Sequence, residues 1–342
     1  MKPLLTSDAL EYQLSEPTAG VLETLQKLDG DILILGAGGK MGPTLATMAR
    51  RACDSLGQTD RQVIAVSRFS DPAAAEVLTK QGVRTLSCDL LDRDAVKKLP
   101  EAPNVIFMAG QKFGTSDAPG TTWVMNTLVP AIVAERYARS RIVVFSTGCV
   151  YPLTAANGTG SIEEDFLGPP GDYANSCVGR ERIFSHFAQE KGTQTLMFRL
   201  SYAIDLRYGV LHDIAQKVAR EEPVDVTMGY ANIIWQGDAN ARALQCLEHV
   251  SNPPAALNVT GLEKVSIRAL AGRFGELLDK KVQIIGQESD TAWLFNAQRS
   301  YEWFGPPSVT LEEMIQATAQ WISQGGSSLG KPTHYETRDG QF

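Results

Sequence analysis

The sequence has few of the features that mark disulfide-bonded, metal-built or membrane proteins. Its five cysteines are scattered, odd in number and form no CxxC pair, which disfavours a disulfide framework and a metal site. Reduced thiols are typical of cytoplasmic proteins, and we predict that location. The sequence has no apolar run of about 18 residues, the length that a transmembrane helix requires, and no apolar signal core near its start. We expect no membrane association.

Positive charge is also scarce. Lys and Arg number 32 against 39 Asp and Glu, which gives a net charge of −7, and no long basic run occurs. Because general nucleic-acid binding requires a positive surface, nucleic acid is not an expected partner. Hydrophobic residues make up 43% and charged residues 21% of the chain, which is close to an ordinary globular protein. We expect the partner to be a small-molecule substrate.

Short apolar strands alternate with helical segments from residue 30 onward. The predicted strands are 31–35, 63–66, 83–86, 105–108, 141–145 and 195–200, and helices lie between them. This alternation is typical of an α/β fold with a doubly wound parallel sheet. We therefore predict a helical N-terminal extension over 1–29 and a main α/β domain over 30–200. A smaller mixed lobe, with some segments returning to the sheet, follows over 201–325, and a tail covers 326–342.

A glycine-rich turn joins the first predicted strand to the first helix of the main domain. Its sequence runs from Gly36 to Gly42 and contributes Gly36, Gly38, Gly39, Lys40, Met41 and Gly42. Glycines permit a tight turn and let backbone amides approach a pyrophosphate, while the helix N-terminus adds partial positive charge. The spacing Gly-x-x-Gly-x-x-Gly is weak alone, but its place between a strand and a helix makes it informative. The turn predicts a site for cofactor phosphates.

The end of the second strand bears on the choice of cofactor. NAD-binding units usually place an acid there for the ribose 2′-hydroxyl, whereas this chain has Ser67 followed by Arg68. A hydroxyl with a guanidinium suits a 2′-phosphate, so we predict NADP, with NAD as the alternative. Asp89 and Leu90, after the third strand, are placed to contact the adenine. Asp89 is almost equally well explained as a helix N-cap.

Further motifs resemble the extended short-chain dehydrogenase/reductase family, in its sugar-nucleotide epimerase/dehydratase branch. The resemblance covers about residues 31–285 and implies a Rossmann-like doubly wound sheet with a smaller C-terminal substrate lobe. Beyond the glycine turn and Asp89-Leu90, it rests on Met108-Ala109-Gly110, Asn126, the runs 145–152 and 173–181, and the segments 257–261 and 265–267. Together these motifs are specific, although no single one is.

The resemblance also implies roles for individual residues. Tyr173 matches the catalytic tyrosine that acts as general acid/base, and Thr147 matches the residue that hydrogen-bonds the same substrate oxygen. Asn126 matches a helix-kink residue that helps to hold a proton-relay water. Met108, Ala109 and Gly110 would line the cofactor, and the family pattern implies a homodimer through the helices that carry Asn126 and Tyr173.

One position departs from the family motif Tyr-x-x-x-Lys. The residue four after Tyr173 is Cys177, on the same helix face and beside the expected cofactor. The lysine normally holds the cofactor ribose and lowers the tyrosine pKa, which is near 10 when unperturbed. Either a nearby cation replaces it, or the reaction needs only a neutral tyrosine, or redox activity has been lost. We prefer Lys112 as the replacement, because Arg180 lies about 10 Å further along the helix axis.

Substrate contacts are expected near the ends of the fifth and sixth strands. Thr147 and Gly148 lie at the fifth, and Tyr202 and Arg207 follow the sixth. Arg207 could hold a phosphate or carboxylate in bidentate fashion. In the family's dehydratases an acid follows the catalytic Ser/Thr by one or two positions. Here those positions are Gly148 and Cys149, which argues against 4,6-dehydration.

These features together predict an NAD(P)-dependent oxidoreductase or epimerase. The substrate is expected to be hydroxylated and to be a sugar or sugar nucleotide, with Tyr173 and Thr147 at the reacting oxygen. A redox-neutral lyase and a non-catalytic NAD(P)-binding sensor or assembly protein are the alternatives, because Cys177 stands in place of the motif lysine.

Overall fold

A seven-stranded, wholly parallel sheet forms the centre of the computed structural model, which describes residues 6–112 and 114–340. Its strands lie in the order β7-β6-β5-β4-β1-β2-β3. The strands are β1 (Ile32–Leu35), β2 (Val63–Ser67), β3 (Arg84–Ser87), β4 (Asn104–Phe107), β5 (Arg141–Thr147), β6 (Gln194–Leu200) and β7 (Ala255–Val259). The predicted doubly wound parallel sheet is confirmed.

Helices cover both faces of the sheet and build the lobe. They are α1 (Ser7–Leu14), α2 (Ala19–Lys27), α3 (Gly42–Ser55), α4 (Pro72–Lys80), α5 (Arg93–Lys97), α6 (Pro119–Trp123), α7 (Val129–Arg136), α8 (Asp172–Lys191), α9 (Val210–Ala219), α10 (Gln236–Gln245), α11 (Ile267–Leu278), α12 (Gln298–Phe304) and α13 (Leu311–Ser323). A π-helical turn (Val124–Leu128) joins α6 to α7, and 3₁₀ turns cover Gly148–Val150 and Cys246–Glu248. Short two-residue strand pairs link 154–155 to 291–292, 203–204 to 234–235, 224–225 to 284–285 and 230–231 to 265–266.

The continuous apolar sequence of β1 reflects burial on both faces of the sheet. Ile32 and Ile34 belong to the core that contains Leu45 of α3, while Leu33 belongs to the opposite core with Val133 of α7. A parallel strand covered by helices on both sides has no solvent face, so alternation of polar and apolar residues is absent. This burial fixes the end of β1, and with it the glycine turn.

The N-terminal helices pack on the main domain and the lobe. Val21 and Leu25 of α2 are fully buried in the core that includes α3. The Thr24 hydroxyl donates a 2.7 Å hydrogen bond to Glu248, and Glu11 of α1 forms an ion pair with Arg207 at 2.7 Å. The N-terminal segment therefore braces the junction between sheet and lobe.

A second hydrophobic core holds the lobe together. It lies among α9, α11 and α13 and includes Ile214, Phe274 and Ile315. Tyr335 of the tail is buried in the same core. The backbone amide and hydroxyl of Thr333 both donate to the Asp213 carboxylate. These contacts lead the tail across the lobe toward the carboxyl ends of the central strands.

The strand order places a crevice at those carboxyl ends. The chain winds from β1 to β3 in one direction and continues from β4 to β7 in the other. Open α/β sheets bind ligands where the order reverses, beside β1 and β4. No helix within the described residues is both long and apolar enough to cross a membrane.

Candidate functional site

Two cavities meet at the carboxyl ends of the strands and share Gly36, Gly39 and Met108 in their walls. The outer cavity measures ≈ 420 Å³ and lies between the ends of β2 and β3. The inner cavity measures ≈ 280 Å³ and lies between β5 and the lobe. Together they form an extended cleft along the top of the sheet, the shape that a dinucleotide needs.

The glycine turn forms the floor where the cavities meet. Gly36 has φ +91°, a backbone conformation that favours glycine. A Cβ there would lie 2.5 Å from the Ala109 nitrogen, and one at Gly42 would lie 2.3 Å from the Ala37 oxygen. Helix α3 begins directly after the turn, with no side chain capping its first amides. Those amides remain available for an anion, so the turn fits a pyrophosphate.

The residues predicted to select the cofactor line the outer cavity. Ser67 lies against the turn, since a Cβ at Gly38 would come 2.5 Å from its Oγ. Arg68 is exposed on the same wall, and Leu90 is buried beside Asp89. The Asp89 carboxylate accepts a 3.0 Å hydrogen bond from the amide of Leu91. The cavity also contains Asp71, whose carboxylate caps α4 by accepting from Ala73.

The end of β4 continues the same wall. Met108, Ala109 and Gly110 line the outer cavity, and Ala109 touches the glycine turn as described. A Cβ at Gly110 would lie 2.3 Å from a guanidinium nitrogen of Arg180. The residues that the sequence assigns to the cofactor therefore lie along one cleft, with Arg180 beneath its middle.

Tyr173 projects from the first turn of α8 into the inner cavity, where it meets Thr147 at the end of β5. Burial raises the pKa of Tyr173 well above its ordinary value, and the neighbouring thiols of Cys177 and Cys149 raise it further. The charge of Arg180 and a hydrogen bond with Thr147 oppose this rise. The phenol is consequently neutral at neutral pH and suited to donate a proton.

The thiol at the position of the motif lysine is buried beside Tyr173. Cys177 is 1% exposed, and burial raises the pKa of its thiol above the ordinary value. A hydrogen bond joins its side chain to that of Tyr173. Cys177 therefore supplies no charge to the site, and the uncharged thiol leaves the tyrosine without an adjacent cation on the next helical turn.

Two cations lie near Tyr173 instead. Arg180 is buried, and its guanidinium donates to the Phe145 carbonyl at 2.7 Å and to Asn126 Oδ1 at 2.6 Å. Lys112 Nζ lies 5.8 Å from the centre of the Tyr173 ring and contacts the Thr333 carbonyl at 3.5 Å. Arg180 reaches back along α8, as long helical side chains do, and its charge lowers the tyrosine pKa. The estimate from helix rise placed Arg180 too far from Tyr173, because it left out this reach, and the role of Lys112 stays a prediction.

Asn126 occupies the π-helical turn and is fully buried. Its Nδ2 donates to the Gln111 carbonyl and to Ser176 Oγ, both at 2.9 Å. Its Oδ1 accepts from the Gln111 amide at 3.0 Å and from Arg180. All four hydrogen-bonding positions of the amide are therefore used by protein groups. The side chain holds Arg180, rather than the relay water that the resemblance implied.

The residues predicted to bind the substrate lie in different surroundings. Gly148 lies directly beneath Phe295, whose ring atoms would be 2.7 Å from a Cβ at that position. Tyr202 lines the inner cavity and has φ +42°, a strained conformation for a non-glycine residue. Arg207 is absent from the cavity wall, because its guanidinium forms ion pairs with Glu11 at 2.7 Å and Asp205 at 3.0 Å. These pairs leave it no role at the inner cavity.

Sequence reasoning missed several residues of the inner cavity. Trp293 and Phe295 are buried and line the cavity. Tyr208 and Thr333 also line it. No local pattern marks Thr333, which lies in the tail, and only the folded lobe brings it to the site.

Among the described residues, no group of three or more His, Cys, Asp or Glu side chains could hold a metal ion. All five cysteines are free thiols. The arrangement instead joins a phosphate-binding turn to a hydrogen-bonded tyrosine and threonine, which can hold and protonate one oxygen of a bound molecule.

Three of the solved structures with the same fold are named as enzymes of sugar nucleotides. UDP-glucose 4-epimerase from Thermotoga maritima has a TM-score of 0.70 at 18% identity, covering 86% of this chain and 99% of its own. UDP-glucuronic acid 4-epimerase from Bacillus cereus, in complex with UDP-glucuronic acid and NAD, has 0.70 at 16%, covering 86% and 99%. dTDP-glucose 4,6-dehydratase from Bacillus anthracis, in complex with NAD, has 0.70 at 14%, covering 86% and 97%.

Sequence comparison identifies the family. No curated protein matches the chain. The family model described as "NAD dependent epimerase/dehydratase family" matches residues 32–220, more than half of the chain, and spans the glycine turn, Thr147 and Tyr173. The chain therefore belongs to the NAD dependent epimerase/dehydratase family.

Proposed function

We propose that this family member, an NAD-dependent epimerase/dehydratase-like enzyme, is an oxidoreductase or epimerase that acts on a hydroxylated sugar or sugar-nucleotide substrate. One observation carries the proposal. The hydrogen-bonded pair of Tyr173 and Thr147 lines a cavity that also contains Gly36 and Gly39 of the phosphate-binding turn. A cofactor seated on the turn would extend toward that pair. The sugar substrates named for the similar structures agree with this proposal.

The residues divide the work at the substrate oxygen. When bound, the cofactor supplies a nicotinamide that accepts or returns hydride. Thr147 would hold the oxygen of the reacting carbon. The neutral phenol of Tyr173 would give its proton to that oxygen as the carbonyl is reduced, and the phenolate left behind would take the proton back as the alcohol is oxidised. Arg180 stabilises the phenolate form through its charge. In an epimerase the sugar carbon would take the hydride back on its opposite face. A reductase would instead release the oxidised cofactor and bind a reduced one.

We propose NADP as the preferred dinucleotide. The support is that Ser67 replaces the usual acid and Arg68 lies exposed on the same wall. Asp71 opposes a 2′-phosphate by its charge, although its carboxylate is held by the amide at the start of α4. Fluorescence titration with NADPH and NADH compares the two affinities directly, and tighter binding of NADH would contradict the proposal.

The test of the catalytic assignment uses the Tyr173→Phe variant. The protein is first titrated with NADPH and NADH, then incubated with glucose, glucuronate, UDP-glucose and UDP-glucuronic acid. Absorbance of the reduced nicotinamide and NMR of the sugar report oxidation and epimerisation. Loss of the hydroxyl should reduce turnover about 10²-fold or more, the usual contribution of general acid–base catalysis, with cofactor affinity unchanged.

Other outcomes would contradict the role of Tyr173 or favour a different function. Turnover by Tyr173→Phe within a few-fold of the parent chain would remove Tyr173 from the reaction. The raised pKa of Tyr173 and the neutral Cys177 favour a redox-neutral lyase as the second candidate. Product formation that needs Tyr173 but no bound dinucleotide would support that lyase. Cofactor binding without turnover of any tested sugar would support a sensor, and no cofactor binding would exclude both the enzyme and the sensor.

We further propose that the protein forms a homodimer through α8 and the helical segment that contains Asn126. The support is a partly exposed apolar strip on that segment, where Trp123 is 37%, Val124 38% and Leu128 41% exposed. These residues lie on one side of the π turn and the helix before it, beside α8. Burial of such a strip against a second copy would remove apolar area from water.

A further inference from the structure

Lys40 leaves the glycine turn in the direction of the inner cavity. Its Nζ donates to the Ala203 carbonyl at 3.2 Å and stands 3.9 Å from the centre of the Tyr208 ring. Both partners belong to the segment that follows β6. Lys40 lines the inner cavity and is absent from the wall of the outer one. The backbone of the turn thus faces the phosphate path, while the Lys40 ammonium faces the space beside Tyr173.

The nearby carboxylates are engaged elsewhere. The Asp205 carboxylate pairs with Arg207 at 3.0 Å, and that of Asp213 accepts from the amide and hydroxyl of Thr333. Among the described residues, none makes an ion pair with Lys40. Its half-buried side chain is therefore held only by a carbonyl dipole and an aromatic face.

The inner cavity as a whole is positive. The side chains that line it include Lys40 and Lys112, and no Asp or Glu occurs among the described residues of the wall. This contrasts with the net charge of −7 of the chain. Partial removal of the Lys40 ammonium from water without a carboxylate in an ion pair is costly, and a bound anion would offset that cost. At ≈ 280 Å³, the cavity leaves a bound sugar ring close to every wall.

We propose that the sugar part of the substrate carries a negatively charged group, a carboxylate or a phosphate, and that the Lys40 ammonium binds it. The inference rests on the inner cavity being the reaction site of the proposed function. The charged group lies on the lobe side of the cavity, between the glycine turn and Tyr208. Thr147 and Tyr173 hold the reacting oxygen from the β5 side. Lys40 thereby selects sugar acids or sugar phosphates over neutral sugars and fixes the orientation of the ring.

The test compares matched ligands that differ only at one carbon. Glucose, glucuronate and glucose 6-phosphate are titrated into the NADH-loaded protein by calorimetry, and the galactose series is run in parallel. We expect at least one charged sugar to bind tenfold or more tightly than its neutral counterpart, and the better of the two anions identifies the group. Equal binding of neutral and charged sugars in both series, or no binding of either charged form, overturns the proposal.

Two lysine variants localise the effect. Lys40→Met should remove the preference for the charged sugar and leave NADH affinity unchanged. Lys264→Met is the matched control, because Lys264 also contacts a carbonyl, that of Ala156 at 2.7 Å, and a tyrosine ring, at 5.3 Å, but lies outside the cavity. If Lys40→Met weakens NADH as much as it weakens the acid, Lys40 serves the cofactor and the proposal is wrong. Separate titration of NADH distinguishes this result from failure of the proposed function.

A pH profile gives an independent readout. Desolvation lowers the pKa of Lys40 to about 8, with Asp205 and Asp213 opposing the shift and Arg207 adding to it. Burial keeps the pKa of Tyr208 above its ordinary value, so this ring stays neutral. A bound anion favours the protonated lysine, so affinity for the charged sugar should fall about tenfold between pH 7 and pH 9. Burial also lowers the pKa of Lys112 in the same wall, so the profile in Lys40→Met should be less steep, and an unchanged slope would overturn the role of Lys40.

Discussion

The pKa of the buried Tyr173 depends on opposing effects of its neighbours. Removal from water and two adjacent thiols raise its pKa, while Arg180 and Thr147 lower it. Arg180 is in turn fixed by Asn126 and by the Phe145 carbonyl. The charge that a motif lysine would place four residues after the tyrosine thus comes from seven residues after it. Cys177 fills the intervening space as a neutral, buried thiol.

Replacement of the two cations should separate their contributions. Removing positive charge favours the neutral phenol, so Arg180→Met should raise the pKa of Tyr173 and move the corresponding limb of the pH–rate profile upward. Each unit of that shift corresponds to about 1.4 kcal/mol. Lys112→Met should produce a smaller shift in the pKa of Tyr173, because the Lys112 ammonium lies toward the Tyr173 ring and not toward its hydroxyl. Thermal unfolding and NADH titration of both variants control for loss of structure. Equal shifts, or a larger one in Lys112→Met, would contradict the assignment to Arg180.

At the scale of elements, the connection from β1 through the turn to α3 forms the proposed phosphate site of the cofactor. Burial of β1 on both faces fixes where the strand ends, and the glycines allow the chain to turn against β4 without collision. The uncapped start of α3 then faces the cleft. Three sequence features, an apolar strand, small turn residues and a helix start, therefore combine in one proposed binding element.

The Gly36→Ala variant, which adds one methyl group, tests whether the turn binds the cofactor phosphates. In Gly36→Ala the side chain would meet the Ala109 backbone at 2.5 Å and hold an alanine at φ +91°, a conformation that is unfavourable for residues with a Cβ. NADH affinity, measured by fluorescence, should fall at least tenfold. Gly120→Ala is the control, since no atom lies within 4 Å of a Cβ there. Affinity within twofold of the parent chain would exclude the turn as the phosphate site.

At the scale of the whole molecule, the proposed homodimer can be tested directly by sedimentation. The parent chain should sediment as a dimer, and Leu128→Glu should sediment as a monomer because a charge in an apolar contact is costly to desolvate. Leu262→Glu, at a residue 42% exposed on the lobe, should remain dimeric. A monomeric parent chain, or a dimeric Leu128→Glu, would contradict the proposed interface.

The sequence alone determined most of the sheet and predicted where along it the cofactor would lie. Alternation of apolar strands and helices is a local pattern, and the glycine turn, Ser67-Arg68 and the Tyr173 motif are contiguous with it. These features predicted six of the seven strands of the sheet. The seventh, β7, was not predicted, because part of its segment was assigned only to the lobe motifs. Local sequence patterns are sufficient to predict a site when that site is formed by the backbone at the end of a strand.

Only the tertiary structure decided which charged groups face the cleft. Arg207 and Lys40 are both basic residues near predicted binding segments, yet Glu11 of α1 and Asp205 hold Arg207 away from the cavity, while Lys40 enters it. Likewise, Arg180 reaches the site through a buried π turn, and Thr333 arrives from the tail. Each result depends on partners distant in sequence, because long side chains are directed by the groups that neutralise or bury them.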